Sequence, residues 1–278
     1  MNNIYVGQIL FGYKNGHTLI STSLNNKLKQ QKDVEILSDA SGKGKFNTYI
    51  TCFPLVQDGY YVFSKTWYAT EMERPGCVWT HMLLIKFDDL LESNGNIDVS
   101  KLFHKPESVN DYANYSKPVC CEKQSYRVES PNYNYVIYTM LYSTKNVLIE
   151  DNDAEAYEIS MIDILTKLPI NILKKLSVCT CSFANRYINN EVFSYQITWN
   201  GNAKYLARDI SNPVIYKSRE YISNYPLWVR YIGDKFKENR QGQIYSFCEK
   251  YKHDDRNDIR ELSKILYSVN EFKEKQNV

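Results

Sequence analysis

The sequence lacks most of the signatures that announce a function outright. It has no GxGxxG and no GxxxxGK[ST], so neither common glycine-rich phosphate cradle is present. It has no long apolar run: the most apolar stretch, Cys77 to Ile85, is interrupted by Thr80 and His81 and is far too short to span a bilayer. The start, Met1-Asn2-Asn3-Ile4-Tyr5-Val6-Gly7-Gln8, has no basic region ahead of an apolar core, which argues against a secretory signal. No repeat recurs at a solenoid period. Charge of one sign is also missing. Lys+Arg is 34 and Asp+Glu is 32, which excludes a histone-like or strongly steered nucleic-acid binder. The seven cysteines are odd in number and irregularly spaced, which fits reduced thiols in the cytoplasm better than a disulfide framework.

What is there is ordinary in bulk. A chain of 278 residues, 43% hydrophobic, buries roughly three quarters of its unfolded surface and needs no metal or disulfide to hold a core. The unusual number is 24 tyrosines against 11 phenylalanines. An apolar ring with a polar tip suits half-buried positions and interfaces.

Local signals predict an α+β protein. Ile4–Leu10 and His17–Thr22 read as a hairpin about Asn15-Gly16, because a type I′ turn needs φ > 0 at both central residues. Leu24–Gln31 and Val34–Leu37 read as short helical pieces. Residues 47–55 and 60–67 read as a second hairpin, and Cys77–Phe87 as a further strand. Residues 104–131, with Pro106, Pro118 and Pro131, read as a long connection. Beyond it, helices are expected at 133–143, 154–168, 171–176, 228–238, 243–252 and 255–272, and strands at 177–184 and 192–199. The expectation is a hairpin-rich antiparallel lobe over 1–115 packed with a mixed helix/strand lobe over 116–278, the two forming one compact unit.

Two stretches could carry chemistry. In the segment Gln8 to His17, the glycines could let backbone approach a ligand and His17 could act as acid or base; the plain alternative is a hairpin with a histidine at its exit. The segment Thr66 to His81 holds Glu71, Arg74, Cys77 and His81. On a strand, Cys77 and His81 share a face but lie about 13 Å apart, too far for a dyad. Trp79, Leu83 and Ile85 share that face, which makes His81 look like a hydrogen-bonded core residue. Cys179-Thr180-Cys181 and Cys120-Cys121 have the wrong spacing for zinc, so no metal or cofactor is expected. The lysine-bearing tail is interleaved with acids and reads as a solvated helix face.

The order Gln8-x-Leu10-Phe11-Gly12-Tyr13-x-x-Gly16-His17, then Leu37-Ser38-Asp39, Tyr49, Pro54-Leu55, Tyr60-Tyr61, and Thr66-Trp67-x-Ala69-x-Glu71-Met72-x-Arg74-Pro75-Gly76-Cys77-Val78-Trp79-Thr80-His81 resembles the N-terminal domain of bacterial GTPase-associated proteins. Leu168-Pro169, Leu176-Ser177-Val178-Cys179-Thr180 and Arg186 are similar to that domain's later signature. The family pattern carries a proline beside Ala69, where this chain has Tyr68 and Thr70. The resemblance implies a component of an NTPase-linked bacterial conflict system, an adaptor or regulator with no catalytic activity to carry over. Many members of the family are longer, so this chain is expected to be a short stand-alone form or to receive its other parts in trans.

The leading expectation is a cytoplasmic, non-enzymatic adaptor of a defence system that binds a GTPase, another NTPase or an effector through Gln8, Tyr13, His17, Trp67, Glu71, Arg74 and His81. The alternative is an enzyme or small-ligand sensor in which His17, Glu71 and His81 meet in one pocket and Arg74 holds an anionic substrate.

Overall fold

The computed structural model describes residues 4–42, 46–72, 76–122, 128–142, 145–218, 224–250 and 255–276. Strand β1 (Ile4–Tyr13) turns back into β2 (His17–Thr22). The turn has Asn15 at φ 59° and Gly16 at φ 133°, as an Asn-Gly hairpin requires. A Cβ on Gly16 would meet nothing within 4 Å, so any cost of replacing it is backbone strain alone. Gly16→Val should therefore destabilise by about 1 kcal/mol or more in urea unfolding; an unchanged midpoint would contradict this turn.

Aromatic and β-branched runs then give β3 (Thr48–Leu55), β4 (Tyr60–Tyr68) and β5 (Val78–Lys86). Strands β3 and β5 are buried along nearly their whole length and β4 over its middle, because the sheet is covered on both sides there. Helix α1 (Gln31–Ser38) lies on one side and buries Val34 and Leu37 among Ile9, Phe11, Phe53 and Leu84. The helical expectation for Leu24–Gln31 is corrected: residues 24–30 are irregular, and the backbone N–H groups of Lys29 and Gln30 donate to the Asp58 carboxylate, at 2.8 and 3.1 Å. After α2 (Phe87–Ser93), the expected connection contains a 3-10 turn (Val109–Ser116) and β6 (Val119–Cys121), which pairs with the start of β1.

The later half is built differently. Helix α3 (Tyr133–Tyr142), β7 (Val147–Glu150), α4 (Glu158–Thr166), α5 (Ile170–Leu173), β8 (Val178–Cys179), the small hairpin β9 (Tyr187–Ile188) and β10 (Glu191–Val192), β11 (Tyr195–Thr198), α6 (Ala203–Leu206) and β12 (Val214–Lys217) follow in order. The strand expected over 177–184 shrinks to Val178–Cys179. Next to it, the Thr180 hydroxyl and N–H bond the Ile50 backbone in place of a longer ladder. Strands β12, β7, β11 and β8 are parallel, and β8 joins the antiparallel half through β3. Apart from the β9–β10 hairpin, the described strands thus form one ten-stranded mixed sheet, in the order β12-β7-β11-β8-β3-β4-β5-β1-β2, with β6 also on β1. This is the α+β class expected. Helices α7 (Leu227–Lys237), α8 (Gly242–Lys250) and α9 (Arg256–Gln276) close the large core on the side of α3 and α4. Among the described residues, no helix is long and apolar enough to cross a membrane.

Candidate functional site

His81 stands in the middle of β5, opposite Leu10 of β1 and Lys65 of β4, and is fully buried. Its bonding can be worked out from its neighbour. The Gln8 amide nitrogen donates to the carbonyls of Asn114 (3.2 Å) and Lys117 (2.6 Å), so the amide oxygen must face His81. His81 Nε2–H therefore donates to it at 3.0 Å, and Nδ1 accepts from the His104 backbone N–H at 3.5 Å. Tyr115 donates to the His104 carbonyl, and the rings of Phe103, His104 and Tyr115 surround the imidazole. Both nitrogens are committed to holding the 103–117 connection against the sheet.

Burial, helped by the charge of His104, pushes the His81 pKa down to about 3. The unfolded imidazole titrates near its ordinary value, so between the two the unfolded chain binds a proton that the folded one refuses. Stability should fall as pH falls through that window, by up to about 1.4 kcal/mol per unit. His81→Gln keeps an N–H donor for Gln8 and removes the titration. Urea unfolding of that variant at about pH 6 and about pH 4 should show a visibly smaller drop than wild type; an equal drop would mean that another group titrates.

Outward along the same face, Trp79 Nε1–H donates to one Glu71 oxygen at 2.8 Å and Lys105 to the other at 2.9 Å. Burial works against the Glu71 charge, but Lys105, the Glu71 backbone N–H and Trp79 together outweigh it and hold the carboxyl below its ordinary range. Around buried Leu10, Ala69, Cys77 and Trp79 pack the half-buried side chains of Tyr13, Ile20, Trp67, Met72 and Tyr112. Lys65 sits 5.7 Å from the Trp67 ring and pairs with Glu158 at 2.6 Å. Gln8, Tyr13, Trp67, Glu71 and His81 are thus gathered at this end of the sheet. Arg74 lies outside the described residues.

His17 is elsewhere. It stacks on Phe11, whose side chain is on the α1 side of the sheet, and its Nε2 is 2.8 Å from the Ser38 hydroxyl. The Ser38 proton is donated to the Glu35 carbonyl at 2.7 Å, so His17 is the donor in that contact. Thr80, the neighbour of His81 on the opposite face, donates to the Ser38 carbonyl at 2.6 Å. From the far half of the chain, Arg186 donates to the carbonyls of Leu37 (2.7 Å) and Asp39 (3.1 Å), closing the C-terminal end of α1. A serine beside a histidine suggests nucleophilic chemistry, but Ser38 is fully buried and its one proton is spent. Burial, against the pull of Asp39, lowers the His17 pKa. His17 and His81 do not share a pocket.

The open feature on this side is a groove of about 1030 Å³ between α1 and the β9–β10 turn. Its rim exposes Ile36 (57%) and Tyr187 (44%), and Arg186 lines it. Lys29, Lys32 and Arg186 face Asp33, Glu35 and Asp39, so the lining carries both signs equally. Sequence reasoning missed Ile36 and Tyr187. Ile36 carried a signal, since it is apolar yet off the Val34–Leu37 stripe of α1; Tyr187 carried none. Among the described residues, no three His, Cys, Asp or Glu side chains are grouped closely enough to hold a metal ion.

Residues 5–103 match the family model described as GTPase-associated protein 1, N-terminal domain type 1. That stretch runs from β1 through α2 and contains His17, Ser38, Asp39, Glu71 and His81; Arg186 lies beyond it. No curated protein and no solved structure matches the chain.

Proposed function

We propose that this protein is a cytoplasmic, non-enzymatic adaptor of a bacterial defence system, and that it holds a segment of a GTPase or other NTPase partner in the groove between α1 and the β9–β10 turn. One observation carries the reading. Ser38 and, on the other face of the sheet, His81 are each fully buried and committed to structural hydrogen bonds, and His17, which lines the groove, spends its Nε2–H on Ser38, while the groove exposes Ile36 and Tyr187. Exposed aliphatic and tyrosine side chains over a buried arginine are the composition of a protein-binding surface. Equal charge of both signs suits a polypeptide better than a nucleic acid. The match of residues 5–103 to a GTPase-associated domain supports a GTPase as the partner.

The experiment is affinity purification of the native chain with mass spectrometry, repeated with Ile36→Asp and Tyr187→Ala. Both residues are exposed, so both variants should melt like wild type. An NTPase retained by wild type and lost from both variants is the expected result. An NTPase retained equally by all three would move the contact to the Trp67–Tyr112 face, and capture of no NTPase would end the adaptor reading.

A further inference from the structure

The parallel half of the sheet has a feature that the adaptor reading does not use. Neighbouring strands β7 and β11 send their following helices to opposite faces. After β7 the chain enters α4, whose Met161, Ile164 and Leu165 share a core with Val147 and Ile149. After β11 it enters α6, whose Ala203 and Leu206 pack on Leu148, which points the other way. In open sheets with parallel strands, such a divergence opens a crevice beyond the carboxyl ends of the strands, the usual place for a ligand. Here the two loops are tied at their base, by Asp151 N–H to the Thr198 carbonyl (2.8 Å) and Asn200 N–H to the Asn152 side chain (3.2 Å).

Beside the β7 loop is a cleft of about 590 Å³. Two aromatic rings line it, Phe46 and Tyr68, 5.8 Å apart and edge to face; outside the cleft, Phe183 at 5.9 Å from Phe46 and Trp199 at 5.1 Å from Phe183 continue the row towards the end of β11. Asp153 and Glu155 also line the cleft, with Thr48 and Thr70. No Lys, Arg or His lines the cleft among the described residues. The Thr48 hydroxyl donates to Glu158, which pairs with Lys65. Asp153 accepts the Ala156 N–H and Glu155 accepts the Thr48 N–H through one oxygen each.

Carboxylates alone would be a solvated patch. Carboxylates beside aromatic rings in one cleft select a particular class, a cation that also takes aromatic contact. No three-ligand metal group exists here among the described residues, and the anionic lining repels phosphates. We propose that this cleft binds an organic cation, an ammonium or guanidinium group, between the Phe46 and Tyr68 rings and the Asp153 and Glu155 carboxylates. The cation is either an arginine or lysine side chain of a polypeptide or a free polyamine.

The test is calorimetric titration of the whole chain with N-acetyl-arginine amide and with spermidine, using neutral N-acetyl-citrulline amide as control. Asp153→Asn/Glu155→Gln keeps the acceptors for Ala156 and Thr48, so it should melt like wild type. At least one cation should bind saturably, and about tenfold more weakly to the double variant, with the citrulline compound weaker by a similar factor. Preference for the arginine amide identifies a polypeptide source, and preference for spermidine a polyamine. The proposal is overturned if neither cation saturates, if the neutral compound binds equally, or if the double variant binds as well as wild type.

Discussion

Replacing Lys167 by Met should lower the melting temperature by about 10 °C, among the largest losses from any single substitution in this chain. Lys167 sits at the end of α4 with its side chain fully buried, 2.6 Å from Asp163 one turn earlier, which is itself buried and also accepts the Tyr133 hydroxyl. Burial lowers the Lys167 pKa even against the pull of Asp163. Methionine fills the same space but leaves the buried carboxylate without the Lys167 charge. That costs about 3–5 kcal/mol, far more than the intact pair contributes. The second variant makes the argument sharp. Lys167→Met/Asp163→Asn removes both charges and keeps an acceptor for Tyr133, so it should regain most of the loss. Differential scanning calorimetry of the two proteins decides it; a double variant as unstable as the single one would show that packing around Lys167, not charge, is at stake.

Gly12→Ala should be nearly as damaging. The Trp79 indole packs against Gly12, and an added Cβ would fall 2.0 Å from Cζ3 and 2.3 Å from Cε3. The indole cannot swing aside freely, because its N–H is held by Glu71 and its ring is packed against Tyr112. One methyl group therefore costs about 3 kcal/mol, at the top of the overpacking range. Unlike Gly16, Gly12 is needed for room rather than for its backbone angle. Gly12→Ala/Trp79→Leu should be more stable than Gly12→Ala in urea unfolding; if it is less stable, the clash is not the cause.

The antiparallel half was legible because its signals are local. Asn15-Gly16 and Asp58-Gly59 mark turns, and the runs between them are long enough for aromatic and β-branched residues to show. Strand alternation also read His81 as a buried, bonded residue, and its surroundings agree. The parallel half was legible only in part: β8 and β11 lie within the strands expected at 177–184 and 192–199, but β7 and β12 were not foreseen, since strands of four residues carry no measurable period. The groove was hidden for another reason. Its walls come from residues 29–41 and 185–190, with His17 and Gln57, and nothing near Tyr187 in sequence states that α1 will be its neighbour. Similarly, His17 and His81 both follow glycine-bearing stretches, yet they go to opposite faces, a consequence of which strand neighbour shares parity with Phe11 and which with Leu10.

The narrow seam between β3 and β8 bears on the order of assembly. Only Thr51↔Cys179 and Cys52↔Val178 pair across it, with Thr180 bonding Ile50 from 130 residues away. The hairpins β1–β2 and β3–β4 close short loops and so form early, whereas the seam must wait for a long one. Until it closes, β3 presents a bare row of backbone donors and acceptors along one of the most apolar strands in the chain. A nascent or heat-stressed chain is therefore most open to self-association through β3, and a cleavage or slow step between residues 55 and 178 would prolong that exposure.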